Sequence, residues 1–289
     1  MMKHLKYLSK ENMTCYQKIW KPAFLLLIFT ILIKNTNAQD NFPSGARASA
    51  MSNAATVLTD VWANYHNQAC LGFYNELTFG YHYENKFILD DFAQQSLAAA
   101  IPTGRGTIGV NLTFYGSAKF NESKIALAFG KPFGEKFAAG IQLDLLNVHQ
   151  ANDYGNASTL AVEGGMLFRP VENWSLGIHV YNPAGASFKS LTDEKIPVII
   201  EAGTGWKPGD KILIVAEAEK NFDQALIIKA GAEYKVIESI YARIGVSTYK
   251  YSSYSFGVGF AQKRINADIA FSHHIILGFT PHISMSYSL

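Results

Sequence analysis

Asp144, Glu163, Glu201, Glu217, Glu233 and Asp268 fall at positions where an extended backbone turns them all to one side, with Lys124, Lys229 and Arg243 at the same parity. Charges of both signs on one face suit two uses: lining an aqueous path, or satisfying one another in a network that holds something in place. Glu217 and Glu219 in "VAEAEKNFD" have the proximity that acid–base work requires, but a hydrated rim is the simpler use of such a pair. His273 and His274 are adjacent and therefore on opposite faces of a strand; with His282 they raise the question of a metal. No Cys or carboxylate stands at a matching spacing, so no metal site is expected. "GTGWKPGDK" from Gly203 is glycine-rich and holds lysines, yet it joins strands and opens no helix, which argues against phosphate binding. No nucleotide loop, zinc spacing or nucleophile elbow is present. The chain is not expected to be an enzyme or to carry a cofactor.

The elements that must position these residues are short strands. In "SFGVGFA", Phe256, Val258 and Phe260 point one way and Ser255, Gly257 and Gly259 the other. The same alternation places Ile108, Val110, Leu112 and Phe114 opposite Thr107, Gly109, Asn111 and Thr113, and it returns in Ile283, Met285, Tyr287 and Leu289. Tight links at "PTGRG", "KPFGEK", "RPVENW", "KPGDK", "KVIES" and "QKRIN" alternate with more variable ones, the longest being "NPAGASFKSLTDEKIP" from Asn182. About fourteen strands, with short turns at one end and longer loops at the other, is the pattern of an outer-membrane barrel. A soluble β-sandwich also alternates, but its second face would meet water. Here that face carries Gly80, Gly109, Gly130, Gly140, Gly165, Gly177, Gly203, Gly205, Gly231, Gly245, Gly257 and Gly259, with few charges between them. The expected fold is therefore all-β: a transmembrane antiparallel β-barrel over residues 75–289, both of its ends in the periplasm.

Residues 1–38 read as a signal peptide: a lysine-rich leader, the apolar run Pro22 to Ile33, and small residues ending at Ala38. That run is too short for a helix spanning a hydrocarbon core, which needs about 20 residues. Met13 is an alternative start that keeps all three parts. The chain has 25 basic and 23 acidic residues, of which the leader holds six and one, so 19 and 22 remain after cleavage. That balance disfavours a nucleic-acid partner, for which clustered Lys and Arg would be needed. Cys70 is alone once Cys15 leaves with the leader, so no internal disulfide forms.

Between leader and barrel, residues 39–74 break the pattern. "GARASAMSNAATVLTDVWANYHNQACLGF", Gly45 to Phe73, is rich in Ala, Ser and Asn and sets Met51, Ala54, Ala55 and Leu58 at helical spacing. A barrel of about fourteen strands has a bore wider than its own side chains can fill. Glycine inside a strand marks a bend or a close approach. A small-residue helix lying in a glycine-lined bore meets both conditions, so this segment is expected to be a helical plug in the lumen. Met51 and Leu58 would pack against inward aromatics such as Tyr115 and Tyr241, and Arg47 would reach one of the luminal carboxylates.

The same stretch resembles the amino-terminal signature of the PorV/PorQ family of Bacteroidetes outer-membrane proteins, itself similar to FadL-type long-chain fatty-acid channels. Gly45, Ala46, Arg47, Met51, Ala54, Asp60, Asn64, Asn67, Ala69 and Leu71 carry the match. "YNPAGASFKSLTDEKIPVIIEAGTGWKP" from Tyr181 resembles the family's loop, proline and following strand. Gln68 and Cys70 depart from it, standing where the signature has Pro and Gly, and the chain ends in Leu289 where an aromatic residue is usual. The resemblance implies an accessory subunit of a larger outer-membrane machine, in type IX secretion or barrel assembly. Its partners would be outer-membrane lipids and other outer-membrane proteins or lipoproteins. Short outer loops and an occupied lumen favour that reading over the alternative, a FadL-like channel for small hydrophobic molecules. Transport would instead call for a continuous apolar cavity and a lateral opening near a strand kink.

Overall fold

A computed structural model describes residues 41–151, 155–188, 194–248 and 253–289; the expected signal peptide lies outside them. The barrel strands are β1 (Thr78–Asn85), β2 (Ala93–Thr103), β3 (Gly106–Gly116), β4 (Phe120–Phe133), β5 (Phe137–Gln150), β6 (Gly155–Val171) and β7 (Trp174–Tyr181). They continue with β10 (Ile199–Gly209), β11 (Ile212–Asn221), β12 (Ile227–Ile237), β13 (Ile240–Ser247), β14 (Ser253–Gln262), β15 (Ile265–His274) and β16 (Gly278–Ser288). Two-residue strands β8 (Ser187–Phe188) and β9 (Glu194–Lys195) form a separate hairpin in the loop between β7 and β10. The fourteen barrel strands run antiparallel, each beside its neighbour in the chain apart from that loop, and β1 closes on β16.

Closure leaves no edge, so every strand has a ladder on both sides, which is what a β-structure needs inside hydrocarbon. Leu289 N–H donates to the Leu77 carbonyl at 2.8 Å, finishing the seam. The period of two decides which face meets lipid. In β5, Ile141 and Leu143 are outward and exposed, Ile141 by 70 %, while Gln142, Asp144 and Leu146 are buried inside. Leu127, Leu160, Ile178, Ile244, Val258 and Ile283 are exposed in the same way on other strands. Trp174 and Trp206 face each other across β7 and β10 near the short-turn end, and both are exposed. That is the place where amphipathic rings favour a membrane interface. The six tight links expected from sequence are the six turns at this end. The register shifts beside Val171, Gly209 and Ile237 cluster there too.

Residues 41–74 lie inside the barrel. Helix α1 (Ala46–Ala50) and helix α2 (Ala63–His66) are short, and a 3-10 turn covers Gln68–Phe73. The expected helix through Met51, Ala54, Ala55 and Leu58 is not there. Ser52 and Asn53 take left-handed φ of 56° and 58°, and the chain crosses the bore in turns. The wall shares in the bonding at the break: Ser52 N–H is divided between the Ser49 carbonyl at 3.1 Å and Ser255 Oγ at 2.9 Å, and the N–H groups of Ala55 and Thr56 go to Glu217. Met51 belongs to the apolar cluster of Leu58, Val61 and Trp62, of which neither Tyr115 nor Tyr241 is a member. Met51 sits on Gly231, where a Cβ would stand 2.5 Å from its own. Tyr115 instead contacts Phe42 and Phe92, and Tyr241 lies under Arg243.

The inward glycines of the wall, apart from Gly259, which faces Arg243 and Asp268, are where this segment touches it. A Cβ at Gly177 would lie 2.6 Å from the Thr56 carbonyl oxygen, and one at Gly257 would lie 2.7 Å from Ala50 Cβ. At Gly109, Gly130, Gly140 and Gly165 a Cβ would overlap Asn64, the backbone of Gln68, or Asn67. Gly140→Leu should therefore unseat the luminal segment, while Gly164→Leu, whose Cβ meets nothing nearer than 3.8 Å, should leave it in place. Limited proteolysis of the folded protein tests this: new cleavage between residues 45 and 74 is expected in the first variant alone.

Candidate functional site

Three charged clusters hold the luminal segment, their wall members at inward positions that strand alternation fixes. Arg47 forks onto Glu233, with Nε–Oε2 and Nη2–Oε1 both 2.8 Å, and its Nη1 reaches Asp60 Oδ2 at 3.0 Å. Arg243, directly opposite Glu233 on the next strand, donates to that carboxylate at 2.6 Å and to Asp268 at 2.6 Å. Burial alone would lower the Arg47 pKa, but the Glu233 carboxylate overrides it and keeps the guanidinium charged.

In the second cluster Lys124 lies 3.3 Å from Glu163, and His179 bridges Glu163 at 3.0 Å and Glu201 at 2.9 Å. A ring with a carboxylate on each nitrogen has both partners satisfied only when it carries both protons. Gln142 donates to Asp144 at 2.8 Å and to Glu163 at 3.0 Å. In the third, Lys229 gathers Glu217 at 2.8 Å, Glu201 at 3.3 Å and Glu219 at 2.6 Å. Glu201 links the last two clusters. Glu219 therefore belongs to this network and is no hydrated rim group.

Wall and segment are joined residue by residue. Glu217 Oε2 accepts the backbone N–H groups of Ala55 and Thr56, both at 2.9 Å, and the Thr56 hydroxyl. Asn64 donates to the Val61 carbonyl at 2.9 Å and the Ala99 carbonyl at 3.2 Å. Asn67 donates to the Thr56 carbonyl at 2.7 Å and caps the following 3-10 turn. Asp60 accepts from Trp62 N–H at 2.9 Å, and Leu58 is buried in the apolar cluster with Met51 and Trp62. Gln68, a departure from the resembled signature, donates to Glu163 at 2.6 Å, so it adds a tie to the wall. The lone Cys70 is fully buried, and burial raises its thiol pKa, which removes thiolate chemistry.

Toward the long-loop end the bore changes character. Leu146, Val148, Ala157 and Ala161, on the inward faces of β5 and β6, form an apolar cluster with Tyr181, Ile199, Phe188 and Ile196. This cluster was missed in the sequence because its partners come from the loop after β7. The wall is stepped beside it: β6 pairs with β7 only from Glu163 to Val171, so residues 155–162 rise above the end of β7. Asn182, at φ 51°, folds the loop into this step, its N–H on the Val162 carbonyl and its amide on the Ile196 carbonyl, both at 2.9 Å. At the other end, a polar hollow of ≈ 840 Å³ opens below Arg47, lined by Asn173, Lys207, Asp210, Glu233 and Tyr241.

No protein-family model matches the chain, and no curated protein does. Solved structures share the fold. The toluene transporter TbuX of Ralstonia pickettii superposes with a TM-score of 0.62 at 12 % identity, over 84 % of this chain and 97 % of its own. The toluene transporter TodX of Pseudomonas putida gives 0.61 at 11 %, over 84 % and 97 %. A Pseudomonas aeruginosa FadL homologue gives 0.61 at 11 %, over 85 % and 98 %. The chain thus has the FadL-like fourteen-strand barrel fold of outer-membrane proteins. These likenesses correct the expectation of an accessory subunit of a secretion or assembly machine, because the structures that share the fold are hydrocarbon transporters and a FadL homologue.

Glu217→Leu removes a buried partner of Lys229 together with the acceptor for two backbone N–H groups. A loss of about 3–5 kcal/mol in the docking of the luminal segment is expected. Arg47→Ala should cost less, since Arg243 stays on Glu233. Thermal melting in detergent, followed by heat modifiability, checks the order; equal melting of wild type and Glu217→Leu would refute it.

Proposed function

We propose that the protein is a FadL-like outer-membrane channel, without catalytic activity, that admits small hydrophobic molecules and releases them sideways through its wall. The observation that carries this is the apolar cluster of Leu146, Val148, Ala157 and Ala161 set beside the step between β6 and β7. An apolar solute descending the bore axis would meet the buried ion network of Lys124, Glu163, His179, Glu201 and Lys229, where it contributes no compensation for desolvated charge. Leaving the cluster past Phe188 and Ile196, it would pass from apolar side chains toward lipid. Transfer between two such surfaces has little cost, whereas each buried CH₂ favours the protein over water by about 0.8 kcal/mol.

The outward face, with Leu160 and Ile178 near this step, is covered by outer-membrane lipid and receives the solute. The amino-terminal motif from Gly45 supports a kinship with the PorV/PorQ group within this fold. The shared fold with toluene transporters supports small hydrocarbons as the substrate class.

Ala157→Trp, which fills the cluster, should lower uptake of radiolabelled toluene to the level of cells lacking the protein, at unchanged outer-membrane abundance. Phe188→Ala should not lower it. Uptake that is the same with and without wild-type protein would sink the reading.

A further inference from the structure

The barrel's closing seam holds a second set of side chains that the transport reading does not use. His82 and Glu84 share the inward face of β1, two residues apart, and Glu84 is directly opposite His282 on β16. All three are buried, with relative exposures of 0 %, 4 % and 4 %. Their ligand-type atoms lie within 4.8 Å of one another.

Neither ring nitrogen of His82 has a hydrogen-bond partner. Its ring stands edge-on to Trp62, with centroids 5.9 Å apart, and stacks on His282 at 6.0 Å, so the apolar faces are used and the polar atoms are not. A buried imidazole with both nitrogens unserved carries the desolvation cost of two polar atoms, about 1–3 kcal/mol each. His282 shows what would serve them. Its Nε2 lies 2.9 Å from Ser272 Oγ, and its Nδ1 lies 3.0 Å from Glu84 Oε2. The serine hydroxyl can donate to Nε2 or accept from it: in the first case Nδ1–H donates to Glu84, and in the second the Nδ1 lone pair and the Glu84 carboxylate both face the same point, where a cation would have two ligands.

We propose that His82, Glu84 and His282 bind one divalent transition-metal ion, with zinc as the best chemical fit. Two imidazoles and a carboxylate are the donor set that such ions prefer over magnesium or calcium. Tetrahedral bonds of about 2.0–2.1 Å place ligand atoms roughly 3.3 Å apart. The 3.0 Å pair of Glu84 and His282 is already near that separation, and side-chain rotation brings His82 in from within 4.8 Å. Ser272 supplies the outer hydrogen bond that fixes the His282 tautomer, and Lys86, 3.8 Å from Glu84 Oε1, leaves Oε2 for the ion. A fourth position remains for water. Because the ligands come from the first and last strands, the ion ties the seam where the barrel closes, beside Trp62 of the luminal segment.

The test uses the full mature protein, purified in detergent without a histidine tag, stripped with EDTA and exchanged into metal-free buffer. After addition of Zn²⁺ and gel filtration, elemental analysis is expected to find one zinc per chain, and zinc should raise the melting temperature. Co²⁺ should give the visible absorption of a tetrahedral nitrogen and oxygen site. His82→Phe keeps the aromatic stack and Glu84→Gln keeps the shape; each should weaken zinc binding at least about tenfold. Heat modifiability on gels verifies that each variant folds, and should His82→Phe fail to fold, Glu84→Gln and the wild-type cobalt spectrum decide. Folded wild type that retains no zinc, or zinc retained equally by a folded variant, overturns the proposal whatever the uptake result.

Discussion

Closing fourteen strands creates a bore that wall side chains do not fill, and the interior of this protein follows from that constraint. The filler is the chain's own segment 41–74, and it approaches the wall backbone to backbone, which only glycine allows at such contacts as Gly140 with Gln68 and Gly245 with Met51. The dependence is mutual. A wall offering hydroxyls and carboxylates lets the segment turn instead of continuing as a helix, because Ser255 shares the Ser52 N–H and Glu217 accepts those of Ala55 and Thr56. The left-handed Ser52 and Asn53 are the cost of following the wall's curvature, met by bonds to it.

The buried ions are better understood as fixing position than as adding net stability. Desolvating so many charges roughly cancels their attraction. What they contribute is register: Glu233 accepts Arg47 from the segment and Arg243 from the wall at once, so a shift of the segment by one residue would take the Arg47 guanidinium off Glu233 and leave that carboxylate with Arg243 alone. Burial of His66 against the Ser44 carbonyl acts similarly. Burial lowers the His66 pKa and keeps the ring neutral, so docking that is complete above its unfolded pKa weakens as pH falls below it.

Strand number, tight turns and the inward parity of Asp144, Glu163, Glu201, Lys229, Glu233, Arg243 and Asp268 were legible because each depends only on a period of two and on local turn chemistry. The glycine face was legible for the same reason, and it located the luminal segment. The course of residues 51–58 was not: helical spacing of Met51, Ala54, Ala55 and Leu58 is compatible with a helix or with a turn-rich path whose apolar residues face wall and core by turns. The setting of His282 was not legible either, because its partners are close only through closure of β1 on β16, some two hundred residues apart in sequence. A His-x-Glu pair at strand period on the first strand was the available signal, and it has no meaning until the last strand is laid against it.

The same distinction explains why occupancy of the lumen pointed the wrong way. A filled bore excludes passage only if passage must follow the axis. The axis is blocked here by charge as well as by volume, from Arg47 through Lys229 to Lys124. The wall, however, is not a uniform cylinder: β6 has seventeen residues and β7 eight, so the hydrogen-bonded surface drops sharply at one place. At that place the inward residues change from carboxylates to Leu146, Val148, Ala157 and Ala161, and loop residues Phe188 and Ile196 replace strand as the cover. Fewer backbone bonds hold this cover than hold a strand pair: Asn182 N–H on the Val162 carbonyl is the link to β6, where a full ladder would supply one for every second residue. On the proposed route, then, the plugged axis is a requirement: it turns an apolar solute toward a stretch of wall where, among the described residues, loop side chains stand in place of a strand.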